Sequence, residues 1–239
     1  MNQTLTAPTE YLADTCAFHD KTYAAGYGHV YPESHVIRCY HQILRGELGI
    51  DGSRGESLLD YGCGSGANCA FFFERGFGVY GVDANEIAIR RAQQRLAGIA
   101  DHFAVTPPEP DAERTWFGAR FDIVFSNQVL YYFSNGDLRT LLTCFARQMP
   151  AGGILIASMM TQRHYFYRHS QPGTDGLRRV ALGDPNDPDV FHINFVDTKD
   201  DVAQRFALFE PLHIGHYDCC LTEKEGSREH YLFIGRKRT

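Results

Sequence analysis

Residues Leu58 to Cys69 read LLDYGCGSGANC, an acid, Asp60, followed by glycines at every second position, Gly62, Gly64 and Gly66. Glycine adopts dihedrals that other residues avoid and lets ligand atoms lie against the backbone. About twenty residues further on, the apolar run FGVYGVD ends in a second acid, Asp83. A carboxylate at the end of a strand can accept both hydrogen bonds from a ribose diol. These residues describe a nucleoside-like ligand without fixing which one, because Gly62-x-Gly64-x-x-Ala67 also fits the dinucleotide fingerprint.

Such a site needs a strand before the glycines and a helix after them. ESLLDYG reads as a buried strand, and ANCAFFFERG as a helix closed by Gly76. After the strand FGVYGVD, the stretch NEIAIRRAQQRLAGI repeats Ile87, Ile89, Ala92 and Leu96 at roughly helical spacing. HFAV, RFDIVFSN and GGILIASMM read as further strands, and NGDLRTLLTCFARQM as a helix starting near Ser134 or Asn135. The alternation predicts an α/β fold, a Rossmann-like doubly wound and mostly parallel sheet. The rhythm then breaks. DTKDDVAQRFAL opens with a capping box from Thr198 to Asp201. PLHIGHYDCCL and EHYLFIGRK follow, joined by the polar TEKEGS, which is too short for a crossover helix, so these two strands must be antiparallel.

Two segments stand outside this core. Residues 1–54 form an N-terminal helical cap, in which PESHVIRCYHQILRG sets Val36, Ile37, Tyr40, Ile43 and Leu44 on one face. Residues 55–239 form the binding domain, interrupted after the fifth strand by residues 161–196. That insert is rich in Pro, Gly and Asp, which argues for a loop, and in Tyr, Phe and His, which argues for contact. Long loops in compact domains are usually functional or disordered, and this one is expected to be a substrate lid or wall.

The totals narrow the class. A chain of 239 residues holds one sizeable α/β domain with an appendage. Its net charge of -6 offers no footprint for a phosphate backbone, so nucleic acid is not the expected partner. The N-terminus lacks the basic start and apolar core of a signal peptide, and no apolar stretch approaches a membrane span. The seven cysteines are scattered and include no C-x-x-C pair, which argues against a disulfide framework or a zinc site. Cys219 and Cys220 read as reduced residues on opposite faces of a strand. A cytoplasmic protein is expected, with no metal.

Three features weigh on the ligand. Asp60 at the mouth of the loop would repel a pyrophosphate and welcome a cationic group. The glycines arrive after more than fifty residues, leaving no space for a second substrate domain. The antiparallel ending is not that of a dinucleotide fold. At this point the chain resembles the class I S-adenosylmethionine-dependent methyltransferases. LLDYGCGSG is similar to their first motif, GVDAN to the segment whose acid holds the ribose, RFDIVFSNQVLYYF to the fourth-strand motif, and PAGGILIAS to the passage into the fifth strand. The resemblance runs from about Gly55 to Lys237 and implies a seven-stranded sheet whose final strand is antiparallel.

That resemblance also implies roles. Asp60 and the backbone at Gly62 and Cys63, within the loop completed by Gly64 and Gly66, would hold the methionine portion of S-adenosyl-L-methionine. Asp83 would take the ribose hydroxyls and Ala84 the adenine, and Asn127 and Gln128 would line the methyl-donor side. The aromatic HDKTYAAGYGHVYPESHVIR resembles an element of some small-molecule members, in which Tyr23 and Tyr31 would close over the methionine end. Family members often carry an acid after the third strand, against the adenine amino group. Here Thr106-Pro107-Pro108 stand in that place.

Methyl transfer from a sulfonium is an in-line displacement on an activated donor, so alignment can carry much of the rate and a base is needed only for a protonated acceptor. The base candidates are His29, His164 and Tyr131, with His35, His169, His192 and Tyr132 in reserve. His213 and His216 are not spaced to share a strand face and do not read as a metal pair. DNA amino-methyltransferases carry an Asp/Asn-Pro-Pro-aromatic motif where this chain has SNQVLY, and the paired glutamates of protein arginine methyltransferases are not visible. The expected acceptor is the oxygen or nitrogen of a small molecule. The alternatives are a catalytically idle cofactor-binding module and, further off, an NAD(P)-linked oxidoreductase. Whether the chain works as a monomer or a homodimer is open.

Overall fold

The computed structural model describes residues 9–238 except 221, 224 and 225. The expectation about a leader at residues 1–8 and part of the TEKEGS turn lie outside the described residues. Seven strands form one sheet: β1 (Ser57–Tyr61), β2 (Gly78–Asp83), β3 (Phe103–Val105), β4 (Ile123–Ser126), β5 (Ile154–Met160), β9 (Phe209–Tyr217) and β10 (His230–Lys237). Their spatial order is β3-β2-β1-β4-β5-β10-β9. The first five strands run parallel, and β10 is antiparallel to both β5 and β9. The Rossmann-like sheet expected from the sequence, with six strands in one direction and β10 reversed, is therefore present.

The side-chain period of two explains why these strands read as unbroken apolar runs. Leu59, Val124 and Leu155 pack on one face with α5 (Asn135–Gln148), while Leu58, Ile123, Ile154 and Ile156 pack on the other with α3 (Ala67–Phe73) and α4 (Glu86–Arg95). A parallel sheet covered on both faces leaves few positions for polar residues. The helix starts are marked by capping side chains. Asn85 accepts from the Ala88 amide at 2.7 Å, Ser134 caps α5, and Thr198 caps α6 (Lys199–Arg205).

Two parts of the chain differ from the sequence reading. Residues 9–24 form a helix, α1 (Thr9–Ala24), which the apolar pattern did not announce. The insert is folded, not a bare loop: β6 (Ser170–Pro172), β7 (Arg178–Asp184) and β8 (Asp187–Ile193) make a small antiparallel sheet. Its Gly, Pro and Asp residues are turn chemistry, with Asp184 accepting from the Asn186 amide at 2.8 Å across the β7–β8 turn. Thr161 bridges Val196, so the insert leaves and re-enters the domain at one place. Val180, Phe191 and Ile193 are fully buried, and Phe18 of α1 lies 4.5 Å from Phe191 ring to ring. Polar pairs join the same elements: Asp14 with His192 at 3.1 Å and Lys21 with Asp189 at 2.6 Å.

In the cap, α2 (Ser34–Cys39) continues into a π-helical turn over Tyr40–Arg45. Val36, Tyr40 and Leu44 are buried at a spacing of four, whereas Ile37 is 37% exposed. Ile37 lies in the α-helical part, one residue and so about 100° around from Val36, which puts it off the face expected for it.

Candidate functional site

A cavity of about 270 Å³ opens at the carboxyl ends of β1, β2, β3 and β4. β2 and β4 leave β1 on opposite sides, so this is the crevice where an open α/β sheet changes direction. The floor is Gly62–Ser65, Asp83–Asn85, Thr106 and Asn127–Val129. The roof is α1, through Leu12, Thr15, Cys16, His19, Asp20 and Tyr23, and the segment that follows it from Tyr27 to Glu33.

The floor is built on glycine backbone. Gly62 has φ +78° and Gly64 φ +53°. A Cβ at Gly62 would lie 2.2 Å from Val129, and one at Gly64 would lie 2.6 Å from Tyr23 Oη. Side chains there would fill the cradle. Asp83 accepts from the Gly64 amide at 2.9 Å and the Asn85 amide at 2.8 Å, one on each carboxylate oxygen. Burial pushes its pKa up, while those amides pull it back. Each oxygen retains lone-pair capacity for a ligand hydroxyl. Because Asn85, not Asp83, caps α4, the Asp83 carboxylate is not spent on that helix.

The roof is latched to the floor. Arg91 donates to the Tyr27 carbonyl at 2.6 Å and the Tyr23 carbonyl at 3.1 Å. Arg95 donates to Val30 O at 2.6 Å and His29 O at 3.1 Å. Ser65 Oγ also donates to His29 O, at 3.2 Å, and Asn85 Nδ2 to Asp20 at 2.6 Å. At the β4 end, Gln128 holds φ +61° and takes a 2.6 Å hydrogen bond from its amide to Ser158 Oγ. Its side-chain Nε2 lies 3.1 Å from both oxygens of Glu33.

Of the residues singled out from the sequence, Gly62, Cys63, Gly64, Asp83, Ala84, Asn127, Gln128, Tyr23, Tyr31, His29 and Tyr131 line this one cavity. Three do not. Asp60 is 1% exposed behind the loop, where Cys69 Sγ donates to Oδ2 at 3.2 Å and Oδ1 has no partner. Burial pushes its pKa up to about 7. It points to the α3 side of β1 and does not line the cavity, whereas a place at the mouth of the loop was expected. Gly66 turns the chain into α3 against Ala92, where an added Cβ would lie at 3.1 Å. His164 is buried away from the cavity, accepts from the Phe166 amide at 3.1 Å and lies edge-on to His230 at 5.4 Å. Burial lowers its pKa to about 3. No residue of the 161–196 insert lines the cavity, and the roof expected of it is supplied by α1.

Other lining residues had no assigned role. Thr106, in the place of the missing acid, is 4% exposed and accepts from Trp116 Nε1 at 3.2 Å. Glu33 follows Tyr31 and Pro32 at the end of the aromatic N-terminal stretch, a local signal for its place in the lining. Behind the lining, the reserve base candidate His35 joins Glu33 at 3.3 Å and Asn127 at 2.9 Å, and stacks on Tyr217 at 3.7 Å. Among the described residues, no group of three or more His, Cys, Asp or Glu gathers as a metal site, and no helix is long and apolar enough to cross a membrane.

A seven-stranded sheet with a reversed β10, a glycine floor at the switch point and an acid ending β2 define the class I S-adenosylmethionine-dependent methyltransferases. The chain belongs to the methyltransferase-domain family, whose model matches residues 36–208. It is similar to an uncharacterized protein of Haemophilus influenzae, 31% identical over 111 residues, 44% of this chain and 42% of that one. It is also similar to a ubiquinone biosynthesis O-methyltransferase of Azoarcus sp., 28% identical over 110 residues, 45% of this chain and 46% of the relative. The matches thus span less than half the length of these curated relatives. Among solved structures, the 1,6-didemethyltoxoflavin-N1-methyltransferase of Burkholderia thailandensis, with bound 1,6-didemethyltoxoflavin and S-adenosylhomocysteine, superposes with a TM-score of 0.64 at 21% identity, covering 100% of this chain and 94% of that one. A SAM-dependent methyltransferase of Methanosarcina mazei gives 0.63 at 19% identity, covering 80% and 97%. At these identities the structures show the shared fold.

Proposed function

We propose that the protein transfers the methyl group of S-adenosyl-L-methionine to an oxygen or nitrogen of a small-molecule acceptor. The observation that carries this is the cavity itself, a glycine floor beside an uncommitted carboxylate, roofed by a helix and closed on the β4 side by polar and tyrosine side chains. When bound, S-adenosylmethionine supplies a methyl on a sulfonium, whose carbon–sulfur bond breaks with its electrons left on sulfur as the acceptor's lone pair forms the new bond. Asp83 accepts the ribose hydroxyls, and Ala84, Thr106 and Pro108 wall the adenine. The Gly62–Gly64 backbone, covered by Tyr23, takes the methionine portion. Asn127, Gln128, Tyr131 and Tyr132 bound the side from which the acceptor approaches. The α1 roof shields the cavity from water and limits acceptors to those that fit beneath it. The small-molecule acceptor named for the Burkholderia relative and the ubiquinone-pathway role of the Azoarcus one support that size class.

The test has two stages. Calorimetric titration with S-adenosylhomocysteine should show binding on the order of micromolar affinity, and NADH run alongside should show none. Methyl-labelled S-adenosylmethionine, offered with a panel of hydroxylated and amine acceptors, should then pass label to a small molecule. Binding without label transfer to any acceptor would leave an idle cofactor-binding module, and NADH binding alone would overturn the reading.

A further inference from the structure

Charge is distributed one-sidedly around the cavity. Among the described residues that line it there are three carboxylates, Asp20, Glu33 and Asp83, and no lysine or arginine. The nearby Arg91 and Arg95 are turned outward onto backbone carbonyls of the roof. His19, a lining residue, has its pKa lowered to about 4 by burial and is neutral at physiological pH. All three acids already accept hydrogen bonds, and they differ in where they stand. Asp20 is taken by Asn85 Nδ2 and lies at the α4 edge. Asp83 faces the glycine loop, where the ribose is read. Glu33 remains, on the β4 side.

Its carboxylate is held still. Gln128 Nε2 sits 3.1 Å from both oxygens, and His35 Nδ1 is 3.3 Å from one of them. Burial lowers the pKa of His35, and its 3.7 Å stack on Tyr217 fixes the plane of the ring. The surrounding surface is aromatic. Tyr27 meets Tyr23 edge to face at 5.7 Å, and Tyr131 lies 4.7 Å from Tyr132. Tyrosine faces are the negative side of a quadrupole and attract cations. A carboxylate or phosphate acceptor would enter a space lined by carboxylates and by no lysine or arginine, Arg228, which acts on Tyr27, standing outside the lining. An ammonium would find one fixed carboxylate among ring faces.

We propose that the acceptor is a small amine, bound as its ammonium beside Glu33 at the tyrosine-lined end of the cavity, a conclusion that rests on the methyl-transfer reading above. Before its lone pair can attack, the ammonium must shed one proton; the Glu33 carboxylate takes it and passes it to water, which reaches this 29% exposed side chain. The new nitrogen–carbon bond then forms as the sulfonium becomes a neutral thioether, so charge and atoms balance.

The test is calorimetric titration of the full chain, saturated with S-adenosylhomocysteine, with three ring-matched probes: tyramine, 3-(4-hydroxyphenyl)propionate and 4-ethylphenol. Tyramine should bind at least about tenfold tighter than either of the others, a difference of about 1.4 kcal/mol. In Glu33→Gln that preference should collapse while S-adenosylhomocysteine still binds, which also reports that the variant is folded. Tyr27→Leu should weaken tyramine several-fold and leave 3-(4-hydroxyphenyl)propionate no weaker than before. Equal or better binding of the acid or the phenol overturns the proposal. So does no binding of any probe to the loaded protein, or a preference that survives Glu33→Gln. Failure of wild-type protein to bind S-adenosylhomocysteine is a separate result, which removes the methyl-transfer reading and this one with it.

Discussion

Asp83 is oriented before any ligand arrives, because the Gly64 and Asn85 amides fix both of its oxygens. Its removal should therefore cost affinity and not fold. Asp83→Ala is expected to weaken S-adenosylhomocysteine binding by about 1–3 kcal/mol, the cost of leaving buried hydroxyls unpaired; unchanged affinity by calorimetry would remove its ribose role. Gly62→Ala acts differently. A methyl 2.2 Å from Val129 at φ +78° must push the β4 loop away, so cofactor affinity and thermal stability should fall together. At this scale the sequence announced much of the floor, because glycines and a strand-end acid are local signals. It did not disclose Asp60, whose type fits a ligand contact but whose strand face turns it under α3 toward Cys69. Nor did it disclose His164, whose partner His230 lies 66 positions away and is brought close by the pairing of β5 with β10.

Among the elements, α1 is the part that a reading from periodicity overlooks. Its inner face carries Leu12, Thr15, His19 and Tyr23, a mixture of polar and apolar residues, because it looks into a cavity and not a core. A helix of that kind lacks the apolar stripe by which buried helices are recognised. The β7–β8 hairpin was obscured for another reason, since its turn residues outnumber its strand signals. The βαβ units were legible throughout, the strands as apolar runs and the helices by their caps. The insert supports the site at one remove, by packing on the outside of α1. Phe18→Ala should test that link. Phe18 does not line the cavity, yet losing its contact with Phe191 is expected to cost about 1–3 kcal/mol of stability. The helix would loosen over the ligand, so S-adenosylhomocysteine should bind several-fold more weakly. Lost stability with unaltered affinity would mean that the insert does not brace the roof.

The whole molecule carries a set of buried imidazoles that sets its response to acid. Burial holds His19 and His230 at about 4 and His164 at about 3, against about 6.5 in an unfolded chain. Their stabilising share is complete above pH 6.5. It is lost as pH falls from there toward 4, because the unfolded chain binds protons that the folded chain refuses. Asp60 works in the opposite sense. Its pKa, raised to about 7, lets the folded chain take a proton first, so its share grows as pH falls from 7 toward 4. Asp83, raised by burial, acts with Asp60, and His35, lowered by burial, acts with the other imidazoles. The imidazoles outnumber the acids, and urea midpoints should drop between pH 7 and pH 5 by an amount equivalent to on the order of 1–2 kcal/mol for each imidazole in excess. A flat profile would mean that these rings are solvated. The strand order has a consequence of another kind, in the timing of synthesis. β5 is paired on one side by β4 and on the other only by β10, which also joins β9 to the sheet. Met160 precedes His230 by 70 residues, which a ribosome adds in about 4–14 s. For that interval a strand that ends fully buried waits with an open hydrogen-bonding edge, so the nascent chain is most in need of a chaperone after its cofactor cradle has been made and before its sheet is closed.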